Sequence, residues 1–127
     1  MAENHFDIDR SAHIRTSAAN KEFYNLIVDE EKIFAAKHQL YTFAIMVAVF
    51  CSEVPDTTTK SEDICLVGNV NADNLAIAKG IVSQLCPDID NGGDLLKRMT
   101  EYADAGINIL RVEYGNNGTL RLDSYID

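Results

Sequence analysis

Tryptophan is absent from this chain, prolines number two and cysteines three. Positive charge is scarce as well: eleven Lys and Arg stand against twenty Asp and Glu, a net charge of −9. Each shortage excludes something. Cys51, Cys65 and Cys86 are odd in number, and their spacings fit neither a zinc site nor a CxxC motif. Free, buried thiols in a reducing compartment are the expectation, and a disulfide framework is not. The longest apolar run, Phe43 to Cys51, is far shorter than the roughly 20 residues a bilayer requires. The start, MAENHFDIDR, lacks the charged-then-apolar pattern of a leader. The expected localisation is therefore soluble and cytoplasmic. Few Lys and Arg weigh against binding phosphate backbones, which those residues must neutralise. The acidic excess is concentrated late: residues 61–127 carry five basic and eleven acidic groups. Such a surface suits a basic protein partner, and equally suits a solvated surface with no partner.

What is present is enough to fold. A chain of 127 residues is the size of one domain, and 46% of it is apolar. Chains of this length bury roughly two thirds of their unfolded surface, so neither disulfide nor metal is needed. The patterning predicts a mainly α fold: about four helices in one compact domain, residues 1–127, with residues 1–12 loosely ordered. A short extended arm over Ala12 to Ser17 precedes the first helix, for which Ser17 is the candidate N-cap. Phe23, Leu26, Ile27 and Glu30 recur at helical spacing. Phe34 either extends that face or belongs to a separate short turn. HQLYTFAIMVAVFCSE is apolar nearly all round and is expected to be the central, most buried helix. A loop over Val54 to Asp63 and a short extended segment over Ile64 to Val70 follow. The third helix is capped by Asn71 or Asp73 and stopped by Pro87. The fourth begins at Gly93 or Asp94 and runs to about Glu113. Asn116, Asn117 and Gly118 read as a turn before a strand over Leu120 and Leu122.

A search for chemistry finds little. His5, Asp7 and Asp9 sit together in sequence without a second ligand cluster, and Asp88, Asp90 and Asp94 lack the spacing and closing Glu of a calcium loop. Carboxylates at a helix start explain the latter better. No cysteine has a His or Asn partner in view, and Gly68 alone makes no phosphate-binding motif. The reading therefore expects no catalytic residue, metal or cofactor, and no enzyme. An extended arm followed by two helices does match the outline of a ribbon-helix-helix protomer. On that alternative Arg10, His13, Arg15 and Lys21 would be the DNA contacts, working against the acidity of the remainder. A third reading is an acidic inhibitor that mimics DNA and occupies a nuclease.

Gly106 is the sequence's clearest oddity, since glycine within a helix costs about 1 kcal/mol relative to alanine. Met99, Tyr102, Ala103, Gly106, Ile109 and Leu110 repeat at three and four residues. Ala103 and Gly106 would then form a notch on the buried stripe where a neighbour packs closely. The alternative is a helix break at Asp104 to Gly106.

The same run, MTEYADAGINILRVEY, resembles the C-terminal helix of the DNA phosphorothioation-associated protein 4 family, through Glu101, Tyr102, Ala103, Gly106, Ile109 and Leu110. KEFYNLIVDEEKIFAAKHQLYTFAIMVAVF is similar in outline to that family's helix, linker and apolar helix. The likeness is loose over most of the chain and motif-like near residues 99–112. The resemblance implies a small accessory subunit of a bacterial DNA-modification or anti-phage defence system, neither its nuclease nor its sulfur-transfer enzyme. Its expected partner is a larger protein, an ATPase or nuclease of that system; a homo-oligomer is compatible with the sequence and a membrane is not expected. One departure stands out: the family carries a basic stretch after the apolar helix, where CSEVPDTTTKSED here is neutral to acidic. That favours protein contacts over DNA contacts.

Overall fold

The structure, a computed structural model, describes residues 7–120. It is mainly helical with one small sheet. Residues 7–12, expected to be loose, form a turn. Asp9 accepts hydrogen bonds from the amide and hydroxyl of Ser11, and the Ala12 amide bonds back to the Asp9 carbonyl. Strand β1 (His13–Thr16) leads into helix α1 (Ala18–Tyr24), whose first turn is capped by the Ser17 hydroxyl accepting from the Asn20 amide at 3.3 Å.

Helix α1 continues as a wider π turn over Asn25–Glu30. The extra residue in that turn shifts the facing of everything after it. Ile27 and Val28 are both buried, whereas Glu30, expected on the inner face, is exposed. Lys32, with φ of 55°, then reverses the chain. Helix α2 (Lys37–Phe50) follows, its preceding Ala35 amide held by the Gln39 side chain at 3.0 Å. Phe34 lies outside both helices and stacks on Phe43, with ring centroids 5.4 Å apart.

Strand β2 (Glu62–Leu66) pairs antiparallel with β1. His13 faces Leu66 and Ile14 faces Cys65; after a bulge, Arg15 faces Asp63 and Thr16 faces Glu62. The extended segment thus starts two residues before the expected Ile64. Helix α3 (Ala72–Leu85) is capped by Asn71, whose side chain accepts from the amides of Asp73 and Asn74. It stops two residues short of Pro87, which cannot continue it.

Helix α4 (Gly92–Asn117) is longer than the periodicity predicts at both ends. Asn91 caps its start through the Asp94 amide at 2.8 Å, and Gly118, with φ of 72°, closes it. Asn116 and Asn117 are therefore helix rather than turn. The predicted strand over Leu120 and Leu122 extends outside the described residues.

α2 is buried along much of its length, as its apolar composition suggests, and α4 shares the centre with it. Every residue from Met99 to Ile107 is buried, so this stretch is enclosed on all sides. On α2, by contrast, Met46 and Phe50 are exposed. The core between them gathers Leu40, Tyr41, Ala44 and Ile45 of α2, Met99, Ile107 and Leu110 of α4, and Tyr24 and Ile27 from the first helical segment. The thiols do not follow one rule: Cys86 is buried, Cys65 is half-buried and Cys51, just past the end of α2, is exposed.

Candidate functional site

The four residues that could touch DNA are engaged within the chain. The Arg10 guanidinium donates to the Gly68 carbonyl at 3.1 Å. Three others converge on one residue of β2, Asp63. The Arg15 Nε donates to its carboxylate at 2.7 Å, the His13 Nδ1 lies 3.5 Å from the same oxygen, and the Lys21 ammonium donates to its carbonyl. The cross-strand register explains the convergence, because Arg15 and Asp63 face each other. The pairing that β1 makes is thus with a strand of its own chain, whereas a ribbon-helix-helix protein pairs that strand with a second protomer.

Ala103 is 1% exposed, and Gly106 is buried beside it. A Cβ placed on Gly106 would sit 1.9 Å from the Ala44 carbonyl oxygen. The backbones of α2 and α4 touch at this point, and only the absence of a side chain lets them. There is no break in α4 here.

Sequence reasoning missed the most enclosed charge among the described residues. Asp104, 1% exposed, accepts from the Thr16 hydroxyl and from the Asn20 amide nitrogen at 3.2 Å. Its other oxygen lies 2.6 Å from the Lys60 ammonium. Asn20 in turn accepts from the Arg111 guanidinium at 2.9 Å. Lys60 also donates to the Asp56 carbonyl at 2.7 Å, and the Asp56 carboxylate accepts from Asn108 at 2.6 Å. The Asp56 amide bonds to the Glu101 carbonyl at 2.9 Å. A buried charge must be paired and hydrogen-bonded to be tolerated, and this one is. Burial tends to raise the Asp56 carboxyl, but hydrogen bonds from Thr58 and Asn108 and the Lys60 charge outweigh it and hold the group below 3.8. Deeper in, burial drives the Tyr24 phenol well above its ordinary range, with the Tyr41 and Asp104 charges adding to it. The Tyr24 hydroxyl finds no hydrogen-bond partner among the described residues. The Tyr41 phenol is raised by burial too, although the Thr100 hydroxyl lies 3.2 Å from it. A signal for this network was in the sequence. Thr100, Asp104, Asn108 and Arg111 recur at helical spacing, a polar stripe inside a helix that reads otherwise as a core element. The network closes on itself, so its chemistry is structural: it ties β1, α1 and the α2–β2 loop to α4.

A surface feature with room for a ligand or partner lies elsewhere. Phe34, Phe43 and Met46 on one side and Asn74, Ile77 and Ala78 on the other line a groove of about 530 Å³ between α2 and α3. Ala78 and Val82 turn inward on α3, so Ile77, one position away, is left 54% exposed. Met46 is 40% exposed on the facing helix. Among the described residues no group of three or more His, Cys, Asp or Glu could hold a metal, and no helix is long and apolar enough to cross a membrane. Comparison with known protein families, with characterised proteins and with solved structures finds no match to this chain.

Proposed function

We propose that this chain is a non-enzymatic adaptor that docks an apolar helical segment of a larger, basic protein in the groove between α2 and α3. The observation that carries this reading is the pair Met46 and Ile77, large apolar side chains left open across a groove already floored by Phe34 and Phe43. A helix lying in a groove is held by a few such anchors at helical spacing. The net charge of −9 favours a basic partner and steers its approach. The resemblance of Met99–Tyr114 supplies the setting: an accessory subunit of a cytoplasmic DNA-modification or anti-phage complex, with its ATPase or nuclease as partner.

The test is co-expression with the proteins encoded beside it. A defined ATPase or nuclease should co-purify with the wild-type chain and be lost with Ile77→Asp and Met46→Glu, while circular dichroism shows both variants folded. Retention of the partner by both variants would remove the groove from the interface. Stoichiometric inhibition of a nuclease that survives both changes would instead favour DNA mimicry by the acidic surface.

A further inference from the structure

A second pocket, of about 370 Å³, opens where β1, the α2–β2 loop and the first half of α4 meet. It gathers positive charge that the chain otherwise has little of. His13 and Arg15 come from β1, Lys60 from the loop and Lys97 from α4, and Thr57, Thr58 and Thr59 add three consecutive hydroxyls.

The carboxylates around it already have cations: Asp63 lies against Arg15 and His13, Asp104 and Asp56 against Lys60, and Glu101, in the wall, 3.3 Å from Arg98. Arg15 meets Asp63 through Nε and His13 through Nδ1, so the Arg15 terminal nitrogens and the His13 Nε2 have no partner among the described residues. Lys97 is exposed and makes no ion pair among the described residues. The threonines are held in place from both ends. Asp56 is fixed by its amide to the Glu101 carbonyl and by its carboxylate to Asn108. Lys60 is fixed by the buried Asp104. Within the loop the Thr58 amide donates to the Asp56 carboxylate at 2.8 Å. Thr57 and Thr59 are left exposed.

We propose that Lys97, Arg15, His13 and the Thr57 and Thr59 hydroxyls bind a small phosphate-bearing ligand. A tetrahedral oxyanion needs several donors converging from different directions, with cationic ones strongest. Here they come from three elements whose relative placement the Asp104 network sets. The volume is within the range of small-molecule sites, and Leu96 in the wall offers an apolar surface for whatever the phosphate is attached to.

The full chain, isotope-labelled, would be titrated with inorganic phosphate and separately with adenosine monophosphate, following backbone amide shifts. Saturable shifts confined to Thr57–Thr59, His13, Arg15 and Lys97 are expected. Lys97→Ala should weaken binding about tenfold, the loss of one charge-assisted contact, and Lys79→Ala on α3 should leave it unchanged. Tighter binding of the nucleotide assigns the ligand as a nucleotide; equal affinities assign it as phosphate itself. Absence of saturable shifts with both probes, an equal loss in Lys79→Ala, or shifts produced by duplex DNA alone would each overturn the proposal.

Discussion

From Met99 to Ile107 α4 shuts in every residue, three of them polar or charged beyond the backbone: Thr100, Glu101 and Asp104. Across the seam between α2 and α3 the arrangement is reversed, and Met46 and Ile77 remain open to solvent. Asp104 finds its partners in β1, α1 and the α2–β2 loop, Thr100 meets Tyr41 of α2, and Glu101 lies against Arg98 of α4 itself. The open apolar ones stay uncovered among the described residues. Polarity therefore does not sort this molecule into inside and outside; partnership does. Where hydrogen bonds can be completed, charge goes inward, and where no apolar surface is supplied, hydrophobic groups stay out.

The largest test of this contrast is at Gly106. Since even a methyl would meet the Ala44 carbonyl, Gly106→Ala should itself be destabilising, by on the order of 3 kcal/mol, and Gly106→Leu should not yield a folded chain. Urea unfolding midpoints would show it, and a Leu variant of wild-type stability would refute the close contact. Next comes the buried pair. Lys60→Met leaves Asp104 enclosed without its cation and should cost about 3–5 kcal/mol. Adding Asp104→Leu should recover much of that loss, because a broken pair is worse than none. A double variant no better than the single one would mean that Thr16 and Asn20 hold the carboxylate unaided. At the open seam the expectation is the opposite: Ile77→Ser should change stability by less than about 0.5 kcal/mol, as for surface sites generally. A larger loss would place Ile77 in the core rather than at an interface.

The smallest effect concerns pH. The folded Asp56 carboxyl lies below its usual 3.8, so the folded state favours its charged form. Its contribution is complete above that unfolded value and is lost as pH falls through the lower folded one. Asp56→Asn should therefore flatten part of the acid limb of a stability profile below about pH 4, with little change in its slope near neutrality.

The helices were legible because their signals are local. Ser17, Asn71 and Pro87 mark ends by their own chemistry, and the stripe through Met99, Tyr102, Ala103, Gly106 and Leu110 is buried in α4, with Ile109 half-buried. What was illegible depends on distance in the chain. The pairing of β1 with β2 joins residues 48 apart, as Arg15 and Asp63 are, and nothing within either strand names its partner. The π turn was missed because one added residue in a turn leaves no mark on composition, yet it turns Glu30 outward. The basic residues offered as DNA contacts lie against Gly68 and Asp63 of the same chain. Their positions in space could not be read without Asp63, Asp104 and the loop that carries Lys60. The apolar groove was hidden for a related reason: Met46 belongs to a helix that reads as core nearly all round, and only the spacing of α2 from α3 leaves it and Ile77 uncovered.

The contact between Gly106 and Ala44 has a consequence for how the chain avoids wrong structures. Two apolar helices can slide past one another by a turn at little penalty when their surfaces are uniform. Here a slip of α4 by one turn would bring Tyr102 or Leu110 against the Ala44 carbonyl, and neither fits where a methyl does not. The missing side chain thus selects one alignment among several that hydrophobicity alone would permit. That alignment is also the one that delivers Asp104 to Thr16 and Lys60.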